Sequence, residues 1–435
     1  MNPSSIACPG CDSLYRIDPE ANTGAAECPR CGAVLWREGG HSLGMTLALV
    51  LASLSLFLAA QLFPLLTLRL HGTAQETSVL ACIDLLVRTG WPWLAAVLIV
   101  TVELAPSAYL CGLVFVLVQL KQGRGSRGTA RVFRIIQEVQ GWAMVDVFLL
   151  GVLVSYVKLA KLAVVVPGGA MYALAGSALL LAWAVDSMDC QSMWKAMGEK
   201  PGAALRAPFQ TARKASLIAC EACGALAPLE HGNAPCARCA AGLHSRKPDS
   251  IRRTWALLAT AALLYLPANL LPVMRTTVLG ATHSDTILSG IVYFLKTGSW
   301  PLALLIFFAS VVVPLAKVGL LSYLLLSVEA RSRRQPRLRT RLYRLTEFIG
   351  RWSMVDLFVV TLMVAMVQRE TLASVEPGPG ALPFAMVVAA TMLASYSFDP
   401  RLIWDAMESG PAPSRSLAAA AEAGPGTGSL ELHHG

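Results

Sequence analysis

The sequence predicts an α-helical integral membrane protein: two tandem four-helix transmembrane units, eight spans in all, each preceded by a small cytoplasmic zinc ribbon. Three observations predict it. The chain is 55% hydrophobic and only 14% charged, with a mean hydropathy of +0.56, which is outside the range of soluble globules. Its apolar residues fall in runs near the roughly 20 residues that a bilayer span requires. Its second half repeats the order of motifs of its first at an offset close to 210 residues, and such internal repeats define architecture before any local reading.

The runs lie at about 43–66, 91–119, 143–165 and 170–188, and again at about 255–274, 300–328, 346–367 and 380–398. Residues 1–42 are read as the first ribbon, 43–194 as the first unit, 195–253 as linker and second ribbon, 254–408 as the second unit, and 409–435 as a disordered tail rich in Ala, Gly, Pro and Ser. Such a composition does not bury a core. The start, Met1-Asn2-Pro3-Ser4, carries no basic and apolar leader, so no cleaved signal peptide is expected there.

The repeat is explicit in its motifs. Gly141-Trp142-Ala143-Met144-Val145-Asp146 returns as Gly350-Arg351-Trp352-Ser353-Met354-Val355-Asp356. Thr89-Gly90-Trp91-Pro92 returns as Thr297-Gly298-Ser299-Trp300-Pro301, Pro106 as Pro314, and the stretch Asp189 to Met197 as Asp399 to Met407. Four spans per unit is an even number, so both units share one orientation. The loop Lys121–Arg134 carries five basic residues, Glu329–Arg344 seven and Lys195–Arg253 ten, while the alternating loops at 67–90 and 275–299 carry two each. Excess Lys and Arg marks the cytoplasmic side, which puts both termini and both ribbons in the cytoplasm. The net charge of +9 is therefore read as topology rather than as a nucleic-acid surface.

Eight of the eleven cysteines form Cys-x-x-Cys pairs: Cys8, Cys11, Cys28 and Cys31, then Cys220, Cys223, Cys236 and Cys239. Two such pairs separated by sixteen or twelve residues are a zinc-ribbon signal. Four thiolates close a tetrahedral shell with no open position, so two structural zinc ions are expected. A single iron or a redox dithiol remains as the alternative occupant or role. A module of about 35 residues buries too little core to fold unaided, so the ion would supply folding energy.

Charges placed inside spans are the candidate functional residues. An aspartate in a span costs about 2.5–3.5 kcal/mol on insertion scales. Asp146 and Asp356 carry that cost at equivalent places. The second unit adds Lys317 one turn after Pro314, Thr391 in the last span and Ser310 seven residues before Lys317. At 1.5 Å per residue, Lys317, Asp356 and Thr391 are expected about 12–15 Å from the cytoplasmic face. The first unit keeps Asp146 but has Tyr109 and Leu181 where the second has Lys317 and Thr391. The set reads either as an ion pair that fixes helix packing or as a proton relay. No nucleophile–base set or open metal site is visible, the seven His are scattered, and no Gly-x-x-x-x-Gly-Lys-Ser/Thr is present. An enzyme is not expected.

The doubled Cys-x-x-Cys ribbons and the doubled Trp-x-Met-Val-Asp stretch, Trp142–Asp146 and Trp352–Asp356, resemble the paraquat-inducible protein A family across about residues 5–408. The resemblance implies a bacterial inner-membrane subunit of an intermembrane lipid transport system. It also implies an MCE-domain periplasmic tunnel protein as partner and membrane phospholipids as cargo, with no nucleic acid involved. Within that resemblance, Lys317 and Asp356 are the place for proton coupling, beside the reading of the set as an ion pair that fixes packing. The competing reading is a membrane-bound redox or stress sensor that cycles its Cys-x-x-Cys thiols.

Overall fold

The computed structural model describes residues 4–17, 25–37, 42–70, 73–159, 164–198, 211–278, 281–298, 300–367 and 373–408. The tail 409–435 and most of the stretch between the first unit and the second ribbon (199–210) lie outside them. The first half runs β1 (Ser4–Ala7), β2 (Leu14–Ile17), β3 (Ala25–Glu27), β4 (Val34–Arg37), α1 (Leu43–Leu62), β5 (Leu66–Leu70), β6 (Thr73–Thr77), α2 (Val79–Arg88), α3 (Pro92–Leu98), α4 (Ala105–Lys121), α5 (Arg127–Gln140), α6 (Val145–Leu159), β7 (Val164–Pro167), α7 (Gly169–Asp186) and α8 (Cys190–Ala196). The second runs β8 (Leu217–Ala219), β9 (Leu226–Pro228), α9 (Ser250–Leu270), β10 (Met274–Val278), β11 (Ala281–Asp285), α10 (Ile287–Lys296), α11 (Trp300–Phe307), α12 (Val313–Glu329), α13 (Pro336–Gly350), α14 (Val355–Val367), β12 (Ala373–Pro377), α15 (Ala381–Ser397) and α16 (Leu402–Glu408).

Among the described residues, six helical stretches are long and apolar enough to cross a membrane: 43–62, 92–121, 127–157, 169–186, 303–329 and 336–365. The sequence predicts eight spans. The two that fall short are α9, 21 residues with Arg252 and Arg253 in its first turn, and α15, apolar but only 17 residues.

The second span of each half is one helix with a widened turn. Residues Ile99–Leu104 and Phe308–Val312 are π-helical, and each precedes a proline, Pro106 or Pro314. Proline has no N–H to give the carbonyl four residues back. The chain responds by shifting to i→i−5 bonds, Ala105 N–H to Val100 O and Val313 N–H to Phe308 O. One carbonyl released in this way, Thr101 O, accepts from Met144 N–H on the neighbouring segment.

The stretches 67–90 and 275–299, read above as loops, are folded. Each holds a β-hairpin and an amphipathic helix. The hairpins take a third strand from the chain after α6 or α14, giving antiparallel sheets of order β6-β5-β7 and β11-β10-β12. These sheets tie the far end of the first span to that of the third. The joint is tight: a Cβ on Gly168 would stand 2.0 Å from Pro64 O, and one on Gly378 2.1 Å from Pro272 O. Five-residue strands flanked by long apolar helices carry little periodic signal, and the alternation Leu66, Leu68, Leu70 was the cue available.

Within the first half, α1 lies along α7, where Ser53 and Ser177 exchange hydroxyl-to-carbonyl hydrogen bonds at 2.9 Å. Small residues permit such close helix approach inside a membrane. The halves meet at α6 and α14. Phe148 packs edge-on against Phe358 at 5.6 Å, and a Cβ on Gly151 would stand 2.8 Å from Phe358 Cβ. The two copies of the central motif are therefore each other's interface.

Candidate functional site: an enclosed polar cluster and two four-cysteine centres

The break between α13 and α14 creates the polar cluster. Helix α13 stops at Gly350, a 3-10 turn covers Arg351–Met354, and α14 restarts at Val355. A helix end turns carbonyls toward side-chain donors, and Gly350 O stands at this one. Lys317, 1% exposed on α12, donates to it at 3.1 Å and to Thr391 Oγ1 on α15 at 3.3 Å. Ser353 Oγ donates to the same carbonyl at 3.0 Å. Thr391 can accept from Lys317 because its own hydroxyl proton goes to Val388 O at 3.0 Å. Lys317 packs closely on Gly350: a Cβ there would lie 3.3 Å from Lys317 Cε.

Ser310 sits in the π-helical turn of the same span, and its hydroxyl donates to the Asp356 carboxylate. Lys317, Thr391, Ser310 and Asp356 are thus held within one bundle of α12, α14 and α15. The structure staggers them, however. Ser310 and Lys317 are seven residues apart, about 10 Å along the helix. In antiparallel helices that spacing sets Lys317 beside Gly350 and Asp356 beside Ser310, two rungs rather than the single depth expected. Asp146 is not brought into the cluster. It stands half-exposed in the first turn of α6, 3.8 Å from Arg351 of the second motif copy.

The cysteine centres follow local geometry. In all four knuckles the residue after the second cysteine is left-handed: Asp12 (φ 62°), Gly32 (70°), Gly224 (66°) and Ala240 (56°). That turn returns its N–H to the first cysteine's carbonyl at 2.7–2.9 Å and frees both thiols to point inward. Cys8, Cys11, Cys28 and Cys31 form one buried group and Cys220, Cys223, Cys236 and Cys239 another, each with its sulfurs within 4.8 Å of one another. The closest pairs, Cys8–Cys31 at 3.4 Å and Cys220–Cys239 at 3.5 Å, are near the roughly 3.8 Å edge of a tetrahedron with 2.3 Å metal–sulfur bonds. Hydrogen bonds from Cys11 and Cys8 hold the Cys31 thiol below its ordinary value. The eight predicted ligands fall into two buried groups of four, each able to hold a metal ion.

Sequence reading missed a latch between the ribbons and the end of the second half. Arg246 bridges Asp12 of the first ribbon at 3.2 Å and Asp405 of α16 at 2.6 Å. Arg401 holds Asp399 at 2.9 Å and also pairs with Glu221 of the second ribbon. Burial alone would raise the Asp399 carboxyl, but Arg401 and the Lys247 N–H hold it below the ordinary carboxylate range. For Asp12, burial outweighs Arg246 and the carboxyl is pushed up. The only advance signal was the density of basic residues between 195 and 253.

Comparison with known proteins agrees with this architecture. The family model for Paraquat-inducible protein A matches residues 43–198 and again 251–408. The chain is 32% identical over 403 residues to the intermembrane transport protein PqiA of Escherichia coli K12, covering 92% of this chain and 95% of that one. It is 31% identical over 405 residues to the lipophilic envelope-spanning tunnel protein A of the same organism, covering 93% and 92%. A probable intermembrane transport protein of Haemophilus influenzae is 28% identical over 414 residues, covering 92% and 95%. No solved structure matches. On this evidence the chain belongs to the paraquat-inducible protein A family.

Proposed function

We propose that this protein is the inner-membrane subunit of an intermembrane lipid transport system, working with an MCE-domain periplasmic tunnel protein to move phospholipids between the inner and outer membranes. The observation that carries this reading is the near full-length similarity to two proteins named for intermembrane transport and for an envelope-spanning tunnel. In this reading all eight apolar runs cross the membrane, α9 and α15 included, and the basic loops, both ribbons and both termini are cytoplasmic. The two three-stranded sheets then stand at the periplasmic face, where a tunnel protein would dock. Zinc in both four-cysteine centres is structural.

The enclosed cluster is the coupling element. Lys317 and Asp356 exchange protons with the gradient, and Ser310, Thr391 and Gly350 O stabilise their charged forms. The two rungs, on α12 and on the π-helical turn before it, permit a relay along one span. Affinity purification from native membranes, with identification of bound protein and lipid, tests the transport reading: an MCE-type protein and phospholipid are expected, and recovery of neither overturns it. Asp356→Asn and Lys317→Ala test the coupling. Each is expected to abolish envelope complementation at normal expression, and full activity in both leaves the cluster a packing device.

A further inference from the structure

The first ribbon precedes the first membrane half in the chain, yet it is held by the second. Arg337 and Arg344 stand seven residues apart on one face of α13 and grip four consecutive carbonyls of the knuckle 29–32. Arg337 donates to Arg30 O and Pro29 O, each at 2.9 Å, and Arg344 to Gly32 O at 2.8 Å and Cys31 O at 3.2 Å. Arg344 Nη2 also lies 3.6 Å from Cys31 Sγ, a metal-ligand atom. From the other side Arg30 stacks on Trp404 of α16 at 4.7 Å. A Cβ on Gly10, in the opposite knuckle, would meet Cys31 Sγ at 3.3 Å and Arg344 Nη2 at 3.6 Å.

Four thiolates around a divalent ion carry a net charge of −2, which a nearby guanidinium offsets. We propose that Arg344 is a positioning residue for the first metal centre, supplied by the second membrane half, so that metal in the first ribbon latches α13. Among the described residues the second ribbon has no counterpart. Arg134, which stands at the position of Arg344 in the first half, pairs with Glu138 at 3.7 Å instead. The cation nearest to the second ribbon in the latch, Arg401, goes to the Glu221 carboxylate. Helix α13 ends at Gly350, whose carbonyl holds Lys317. One helix thus connects the first metal centre to the enclosed cluster.

The proposal rests on metal occupancy of the ribbons, and zinc content separates the two ideas: wild-type protein is expected to hold two zinc ions per chain, and none would overturn both. Zinc transfer from the purified, detergent-solubilised full chain to a chromogenic chelator then reads each centre. In Arg344→Ala one equivalent of zinc is expected to leave about 10–100-fold faster, the range for losing an outer partner of a metal ligand, while the other keeps its wild-type rate. Arg344→Lys, which retains the charge, is expected to recover part of the loss, and Arg134→Ala to change neither equivalent. Should Arg344→Ala fail to fold, Arg337→Ala, which touches only the carbonyls, is read in its place. Emptying the first centre with Cys8→Ser and Cys11→Ser is expected to raise hydrogen exchange over 336–350, and Cys220→Ser with Cys223→Ser to leave it unchanged. Equal release of both ions in every variant, or unchanged exchange over 336–350 with the first centre empty, overturns the proposal.

Discussion

Ala240, like Asp12, takes the left-handed knuckle position with a Cβ, but it lacks the short polar side chain that suits Asp to that conformation. It holds φ 56° with a Cβ, in a turn where Gly32 and Gly224 occupy the equivalent positions. A left-handed L-residue costs roughly 1–2 kcal/mol. Ala240→Gly is therefore expected to stabilise the second ribbon by about 1 kcal/mol and to raise the thermal midpoint of that module, followed as zinc release on heating. Asp399 makes a prediction of opposite character. Its carboxyl titrates below the ordinary value when folded, so its contribution is present above about pH 4, the unfolded value, and is lost as pH falls through the folded one. Asp399→Asn is expected to destabilise the chain by about 3 kcal/mol at neutral pH, since it leaves Arg401 and its partners buried. That difference should shrink in thermal melts as pH is lowered below about 4.

At the scale of elements, the helices were legible because their cause is local. Apolar runs give the spans, and Pro106 and Pro314 mark the irregular turn. What the run lengths did not show is that the turn becomes π-helical and aims Ser310 at Asp356. The sheets were missed for a related reason. Each is held by a strand about 100 residues away, Leu66 opposite Pro167 and Met274 opposite Pro377, so no local pattern encodes the pairing. The joint they make is testable. Gly168→Ala puts a methyl 2.0 Å from Pro64 O, a backbone atom that cannot rotate away, and is expected to cost roughly 1–3 kcal/mol. The yield of monodisperse protein after extraction should fall accordingly, while alanine at Gly290, which has open space, should be neutral.

At the scale of the whole molecule, α6 and α14, where the membrane helices of the two halves meet, are joined by apolar contact rather than charge. Arg351 and Asp146 are 38% and 49% exposed and 3.8 Å apart, and such pairs contribute about 0–1 kcal/mol. Arg351→Ala is expected to leave thermal stability within about 0.5 kcal/mol of the original. Gly151→Val, against Phe358 Cβ at 2.8 Å, should separate α6 from α14 and lower the melting temperature clearly. Finding the reverse would place the joint in the ion pair.

The sequence by itself determined the membrane class, the duplication, the two sets of four cysteines and the charged residues set into spans. These properties are carried by composition, spacing and short turns, each of which acts within about 20 residues. Only the tertiary structure decided that Lys317 and Asp356 occupy successive rungs, that Asp146 faces the other half, and that the first ribbon rests on α13. Those outcomes depend on which helices lie side by side, and the contacts that settle them join residues as far apart as Cys31 and Arg344. An apolar helix in a bilayer has many faces of similar energy, so its neighbours are chosen by close packing and buried polar bonds, neither of which a linear pattern records.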